Sequence, residues 1–210
     1  MTTIILTSTV NIYNGIDVIF QRDPNSRIQT YLSSVLKWLH NTKFNIVLVE
    51  NSGYNFNELD GEKETFKDRF EVIVFDETNL DECIKDACAK GVHEMFAINY
   101  AFYNSKLLSS SNFIIKITAR FFIPEFEEYL NNFDLNTYDC LVQNNRDRCE
   151  VVGSNVKNFS YIFEMYTEYD NCVEMLWKER ISKYNNILVC KIFQIDETQR
   201  GGDVQPYRDI

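Results

Sequence analysis

Four short polar segments each follow an apolar, largely β-branched run: Thr7-Ser8-Thr9, Glu50-Asn51-Ser52, Asp76-Glu77 and Thr118-Ala119-Arg120. Open α/β sheets bind ligands at the carboxyl ends of their strands, where hydroxyls and amides can read a base and a ribose; strand exits are also polar simply because loops are solvated. Lys116 stands inside the last run. On an extended segment it shares a face with Thr118 and Arg120, because side chains alternate with period two, so all three could meet one anionic ligand. The other reading of Lys116 is a buried ion pair. In the loop at 144–150, Asp147 and Glu150 are the carboxylates best placed to take a proton from an attacking hydroxyl, and they could equally pair with Arg146 and Arg148.

The chain's one Gly-Gly lies in Gln199-Arg200-Gly201-Gly202-Asp203. Paired glycines let backbone N–H groups approach an anion, which suits a lid over a diphosphate as well as a plain tail. No G-x-G-x-x-G follows the first apolar run and no G-x-x-x-x-G-K-[ST] occurs, which sets aside dinucleotide and P-loop sites. G-x-S-x-G is absent too, and with only His40 and His93 a Ser-His-Asp hydrolase has few partners. His93 reads as a solvent-facing or capping residue.

The elements that must position these groups alternate. Ile4-Ile5-Leu6 is a short buried strand, and the apolar start reads as that strand and not as a signal peptide, since it lacks a basic stretch and a cleavage site. Asp23-Pro24-Asn25-Ser26 supplies a turn and cap for an amphipathic helix carrying Ile28, Tyr31, Leu32, Val35, Leu36 and Leu39. Asn45-Ile46-Val47-Leu48-Val49 follows as a second strand, parallel to the first by the handedness rule. Residues 57–69 read as helix, Val72-Ile73-Val74-Phe75 as a third strand, and 81–105 as helix interrupted at Gly91. The run at 113–118 is a fourth strand, Pro124 opens another helix, and 140–142 and 187–193 are late strands bracketing a helix at 159–166. The expected fold is an α/β single domain with a central mixed, mostly parallel sheet flanked by helices.

With 210 residues, 45% of them apolar and 16 Phe and 12 Tyr among them, the chain can bury a substantial core. A formal charge of −10 argues against nucleic acid, whose affinity comes from basic side chains, and against anionic membranes. A mononucleotide needs only a few local cations. No apolar run reaches the roughly 20 residues of a membrane span. The six cysteines form no C-x-x-C and read as free thiols of a reducing cytosol.

Four segments, taken in order, resemble GT-A glycosyltransferases: Ile5-Leu6-Thr7-Ser8-Thr9, residues 45–54 (N-I-V-L-V-E-N-S-G-Y), Lys90-Gly91 with 94–102 (E-M-F-A-I-N-Y-A-F), and 113–122 (F-I-I-K-I-T-A-R-F-F). The chain looks most like the small glycosyltransferase domains encoded by large DNA viruses of algae, over about residues 3–202, with K-I-T-A-R the most specific part. The resemblance implies a Rossmann-like donor half (1–120) and an acceptor half with the C-terminal tail (121–210). It also implies a UDP-sugar donor, a glycan or glycoprotein acceptor such as capsid glycans, and a cytosolic setting, the host's if viral. Thr7, Ser8, Thr9 and Asn51 would face the nucleotide, and Arg27, in the R-x-x-x-Y-L pattern, would reach the nucleotide or its phosphates.

One departure matters. GT-A enzymes commonly hold a divalent ion, Mn²⁺ or Mg²⁺, with D-x-D after the fourth strand, and no D-x-D occurs here. Lys116 and Arg120 stand there instead and could neutralise a leaving diphosphate; Asp76, Glu77 or Asp203 could supply oxygen ligands to a metal left otherwise unassigned. A sugar nucleotidyltransferase shares the fold type but normally carries a Gly-rich basic loop after its first strand, which residues 7–15 do not show. A non-catalytic nucleotide- or glycan-binding module is the third reading.

Overall fold

Continuous apolar runs with no helical spacing suit strands covered on both faces, and three of them, with a half-buried edge strand, build one half of the sheet. The computed structural model describes residues 1–12, 19, 21–80, 90–144, 148–166, 172–199 and 205–210. Strands β1 (Thr2–Ser8), β2 (Asn45–Glu50), β3 (Phe70–Val74) and β4 (Phe113–Thr118) lie parallel in the order β3-β2-β1-β4. Ile5 sits opposite Val47 on one side and Lys116 on the other. Beyond β4 the sheet continues as β6 (Val151–Asn155), β5 (Cys140–Val142) and β7 (Ile187–Val189). β6 is antiparallel to both β4 and β5, while β7 is parallel to β5, which gives the mixed late half.

Two apolar layers cover the sheet. Ile4, Leu6, Ile46, Leu48, Ile115 and Ile117 face the layer that holds α1 (Pro24–Asn41), while Ile5, Val47, Val49 and Ile114 face the opposite layer. α1 starts as its sequence dictates: Asp23 caps it by accepting from the Ser26 amide at 2.8 Å, with Pro24 in the first turn. Its Trp38 is fully buried and donates to the Phe121 carbonyl at 2.8 Å, tying the helix to the segment that leaves β4. Among the described residues the remaining α-helices are α2 (Asp60–Thr65), α3 (Lys90–Asn104), α4 (Lys106–Ser109), α5 (Phe126–Leu130), α6 (Phe159–Ile162) and α7 (Val173–Ile181). Met95, Ile98 and Ala101 of α3 and Trp177 of α7 fill the layer opposite α1.

Several expectations need correction. Gly91 is the second residue of α3, where a Cβ would stand 2.6 Å from Val173 Cβ, so glycine permits α3 and α7 to approach closely; residues 81–89, on which the expected interruption also depends, lie outside the described residues. The late strand expected over 187–193 ends at Val189, and Phe193 instead exchanges backbone hydrogen bonds with Ile210. The next residues form a separate hairpin of β8 (Gln194–Gln199) and β9 (Pro206–Asp209). The helix expected over 159–166 is the short α6, after a 3₁₀ turn at Val156–Asn158. Arg200, Gly201, Gly202 and Asp203 lie outside the described residues. Of the cysteines, Cys140, Cys149, Cys172 and Cys190 are free thiols. Among the described residues no helix is long and apolar enough to cross a membrane.

Gly153 explains how β6 fits between β4 and β5. A Cβ there would meet Leu141 Cβ and Phe113 Cε1, each at 2.9 Å, closer than packed carbons tolerate. Gly153→Val should therefore lower stability by about 2 kcal/mol. Thermal denaturation checks this, and an unchanged melting temperature would show that the strand has room to spare.

Candidate functional site

The strand order turns back between β1 and β4, the point where chains leaving an α/β sheet part and leave a crevice at the carboxyl edge. A cleft of about 980 Å³, its open mouth included, lies there. Thr7, Ser8, Thr9, Arg27, Asn51, Lys116, Thr118 and Arg120 all line it, and so does Glu150. Asp147 lies outside the described residues. Sequence reasoning gave no ligand-facing role to the cleft residues contributed by α3 and α7, namely Lys90, Gly91, His93, Glu94 and Glu174. The available signal was the pair His93-Glu94, polar residues set between the apolar Val92 and Met95 of a core-facing helix.

One chain of hydrogen bonds joins three strand exits. Thr9 Oγ1 donates to Asn51 Oδ1 at 2.6 Å, and Asn51 Nδ2 donates to Glu77 Oε2 at 2.7 Å. The same Glu77 oxygen is 3.0 Å from His93 Nδ1. His93 is thus a buried partner of Glu77, 5% exposed, and not the solvent-facing residue its sequence suggested. Asn51 keeps one amide hydrogen and one carbonyl lone pair beyond these bonds, enough to address a ligand.

A second network lies beneath. Lys116 is 1% exposed, and its Nζ stands 2.8 Å from Glu94 Oε1, 2.9 Å from the Cys149 carbonyl and 3.3 Å from Thr118 Oγ1. Thr7 Oγ1 donates to the same Glu94 oxygen at 2.8 Å. Burial is the largest single influence and works against the ammonium, yet the Glu94 charge and hydrogen bond, together with the neighbouring Cys149 and Glu150, outweigh it and hold the Lys116 pKa above its ordinary value. The ion pair, closed at 2.8 Å, lies in the cleft wall. Arg120 differs: it is half-buried, and its Nε finds no hydrogen-bond partner among the described residues.

Two further charged groups shape the loops. Arg27 is 3% exposed and anchors the segment after β1: Nε donates to the Thr9 carbonyl at 2.6 Å, and one terminal nitrogen to the Gln21 carbonyl at 2.9 Å. The other terminal nitrogen donates to the Tyr31 hydroxyl at 2.6 Å. Desolvation lowers the Arg27 pKa. Glu50 has no exposed surface and accepts from the Val10, Ser52 and Tyr54 amides and the Ser52 hydroxyl. Burial raises its pKa despite those bonds, which act in the opposite sense.

The cleft carboxylates bear on the divalent ion that the resemblance implies. Glu77 is bonded to Asn51 and His93, Glu94 to Lys116 and Thr7, and Glu174 to the Cys172 thiol. Asp76 accepts from both the amide and the hydroxyl of Thr78, closing a turn. Among the described residues no three His, Cys, Asp or Glu side chains gather as a ligand set. The described side chains do not fit a resident metal ion.

No family model and no curated protein sequence matches the chain. Solved structures do match. One is a putative nucleotide-diphospho-sugar transferase from Desulfovibrio desulfuricans, at 14% identity, TM-score 0.52, covering 90% of this chain and 79% of that one. Another is the galactosyltransferase LgtC in complex with donor and acceptor sugar analogues, at 9% identity, TM-score 0.53, covering 90% and 73%. A third is a putative glucose-1-phosphate thymidylyltransferase from Bacillus anthracis in complex with a sucrose, at 12% identity, TM-score 0.50, covering 90% and 86%. At such identities the likeness is one of architecture: the chain has the α/β fold shared by GT-A nucleotide-sugar transferases.

Glu50 yields a test of the cleft's scaffold. Its folded-state pKa lies above the ordinary 4.5, so between the two values the folded chain holds the proton more tightly than the unfolded one. The stability it contributes is full below 4.5 and is lost as pH rises through the raised value. Glu50→Gln should erase that slope from the pH–stability profile and, by leaving amide donors without an acceptor, cost about 2 kcal/mol at neutral pH. Urea titrations across pH 4 to 8 measure both; a profile superimposable on wild type would contradict the assignment.

Proposed function

We propose that the chain is a glycosyltransferase that moves a sugar from a nucleotide-diphosphate donor, in the first instance a UDP-sugar, to a hydroxyl of a glycan. The observation that carries this reading is the cleft at the β1/β4 parting, where hydroxyls and an amide from three strand exits share one lining with the Arg120 side chain. Residues 1–120 would hold the donor, and 121–210 would serve the acceptor together with the part of α1 that borders the β8–β9 hairpin.

Thr9 and Asn51, already oriented by each other and by Glu77, address the nucleoside. Thr7 and Thr118 line the way to the diphosphate, with Ser8 pinned by a bond to the Val49 carbonyl. Departure of the diphosphate places negative charge on the β-phosphate oxygens, and a fixed cation aimed there lowers the barrier. Arg120 supplies that cation, with Lys90 at the rim; Lys116 acts from behind, keeping Thr118 and Glu94 in place. Arg27 serves the donor by fixing the Thr9 carbonyl and its loop. Glu150, buried and in the cleft wall, is the proposed acceptor for the incoming hydroxyl's proton. The acceptor's identity as a capsid glycan rests on the sequence resemblance alone.

The thymidylyltransferase neighbour shares the fold, and a nucleotidyltransferase would form a sugar nucleotide where a glycosyltransferase consumes one. Assays with UDP-sugars, run with Mn²⁺ and with EDTA, should release UDP in both conditions if Arg120 and not a metal meets the diphosphate. Arg120→Ala should lower kcat/KM by about 100-fold while shifting stability by no more than about 0.5 kcal/mol. Absence of both heat and melting shift on UDP titration would overturn the reading, and equal losses of activity and stability would make Arg120 structural.

A further inference from the structure

A second groove opens on the far side of Arg120, between α1 and the β8–β9 hairpin, with about 690 Å³ of space including its mouth. Its wall on α1 is a polar stripe: the hydroxyls of Thr30, Ser33 and Ser34 and the ammonium of Lys37 recur at the spacing that brings side chains onto one helical face. Thr198 of β8 stands across from it, and Phe122, held edge-on by Trp38 at a ring separation of 5.0 Å, adds an apolar surface.

The polar atoms here are underused. Gln21 Oε1, Ser34 Oγ and Arg120 Nε are all buried, all belong to residues lining this one groove, and none has a hydrogen-bond partner among the described residues. Ser34 itself is 3% exposed. Native chains leave few buried polar atoms unsatisfied, so three around a single groove call for a ligand that can answer them. They comprise an acceptor, a donor and a hydroxyl that does both, which is the pattern a polyol matches, since each of its hydroxyls also donates and accepts. An anion is a poorer match, because the other charges are compensated: Lys37 pairs with Asp196 at 2.6 Å and Glu197 with Arg208 at 2.7 Å.

We propose that this groove seats the acceptor carbohydrate, with Ser34 and Gln21 binding its hydroxyls and Phe122 its carbon-bound hydrogens. The inference rests on the glycosyltransferase reading for the word acceptor, though the binding of a sugar stands apart from it. Arg120 lines both hollows, so a sugar held in the groove adjoins the donor's diphosphate across a single side chain.

The test is amide NMR of the whole chain titrated with methyl glycosides of glucose, galactose and N-acetylglucosamine, and separately with UDP. The expected result is glycoside-dependent shifts at Thr30, Ser34 and Thr198, with affinity lowered about tenfold or more in Ser34→Leu and in Gln21→Leu. Two variants are used so that one failing to fold, as judged by its spectrum, leaves the other to decide. Glycoside shifts confined to other surfaces, or none up to the solubility limit, would overturn the proposal even if UDP binds in its cleft. Sugar binding in the groove without any UDP binding would uphold the carbohydrate site and remove the donor reading instead.

Discussion

A single buried ammonium gathers the parts of the chain that make the cleft. Lys116 sits on β4, contacts Glu94 of α3 and the Cys149 carbonyl just before β6, and through Glu94 reaches the Thr7 hydroxyl on β1. Taking a charged amine out of water costs several kcal/mol, and only close, well-satisfied partners offset that cost. The arrangement therefore tolerates little slack. If β4 slipped by one residue relative to β1, the ammonium would be carried to the opposite, apolar face of the sheet. Register, helix placement and cleft geometry are thus coupled through one charge.

Around that point, buried carboxylates and Arg27 convert loops into walls. Glu50 gathers the backbone amides that follow β1 and β2, and Arg27 holds the Thr9 carbonyl from α1. Both act on backbone, which leaves Thr9, Asn51 and Thr118 to present side chains. The chain's overall charge of −10 does not exclude an anionic ligand here, because Lys116 neutralises the Glu94 carboxylate and Arg120 and Lys90 add positive charge to the same lining.

The first half of the fold was legible because β1, β2 and β4 are buried on both faces and so are written as largely apolar runs, as in Ile46-Val47-Leu48-Val49. Lys116 stood out for the same reason: a charge inside such a run must have a partner. β6 was hidden, since Gly153-Ser154-Asn155 has the composition of a turn, and its glycine answers to Leu141 and Phe113, neighbours that only the folded sheet reveals. His93 was misjudged on similar grounds. Its partner Glu77 leaves a different strand, and nothing in the local pattern of α3 announces it. Arg27 looked available at the first turn of a helix, whereas its donors are used by a loop whose path the sequence does not specify.

The account stands or falls on what occupies the crevice where β1 and β4 part. A crystal structure of the chain grown with saturating UDP locates the nucleotide directly. Density is expected between Thr7-Ser8-Thr9 and Thr118-Ala119-Arg120, with the diphosphate against the Arg120 guanidinium. Nucleotide bound elsewhere on the surface, or a crevice holding only solvent, would contradict it.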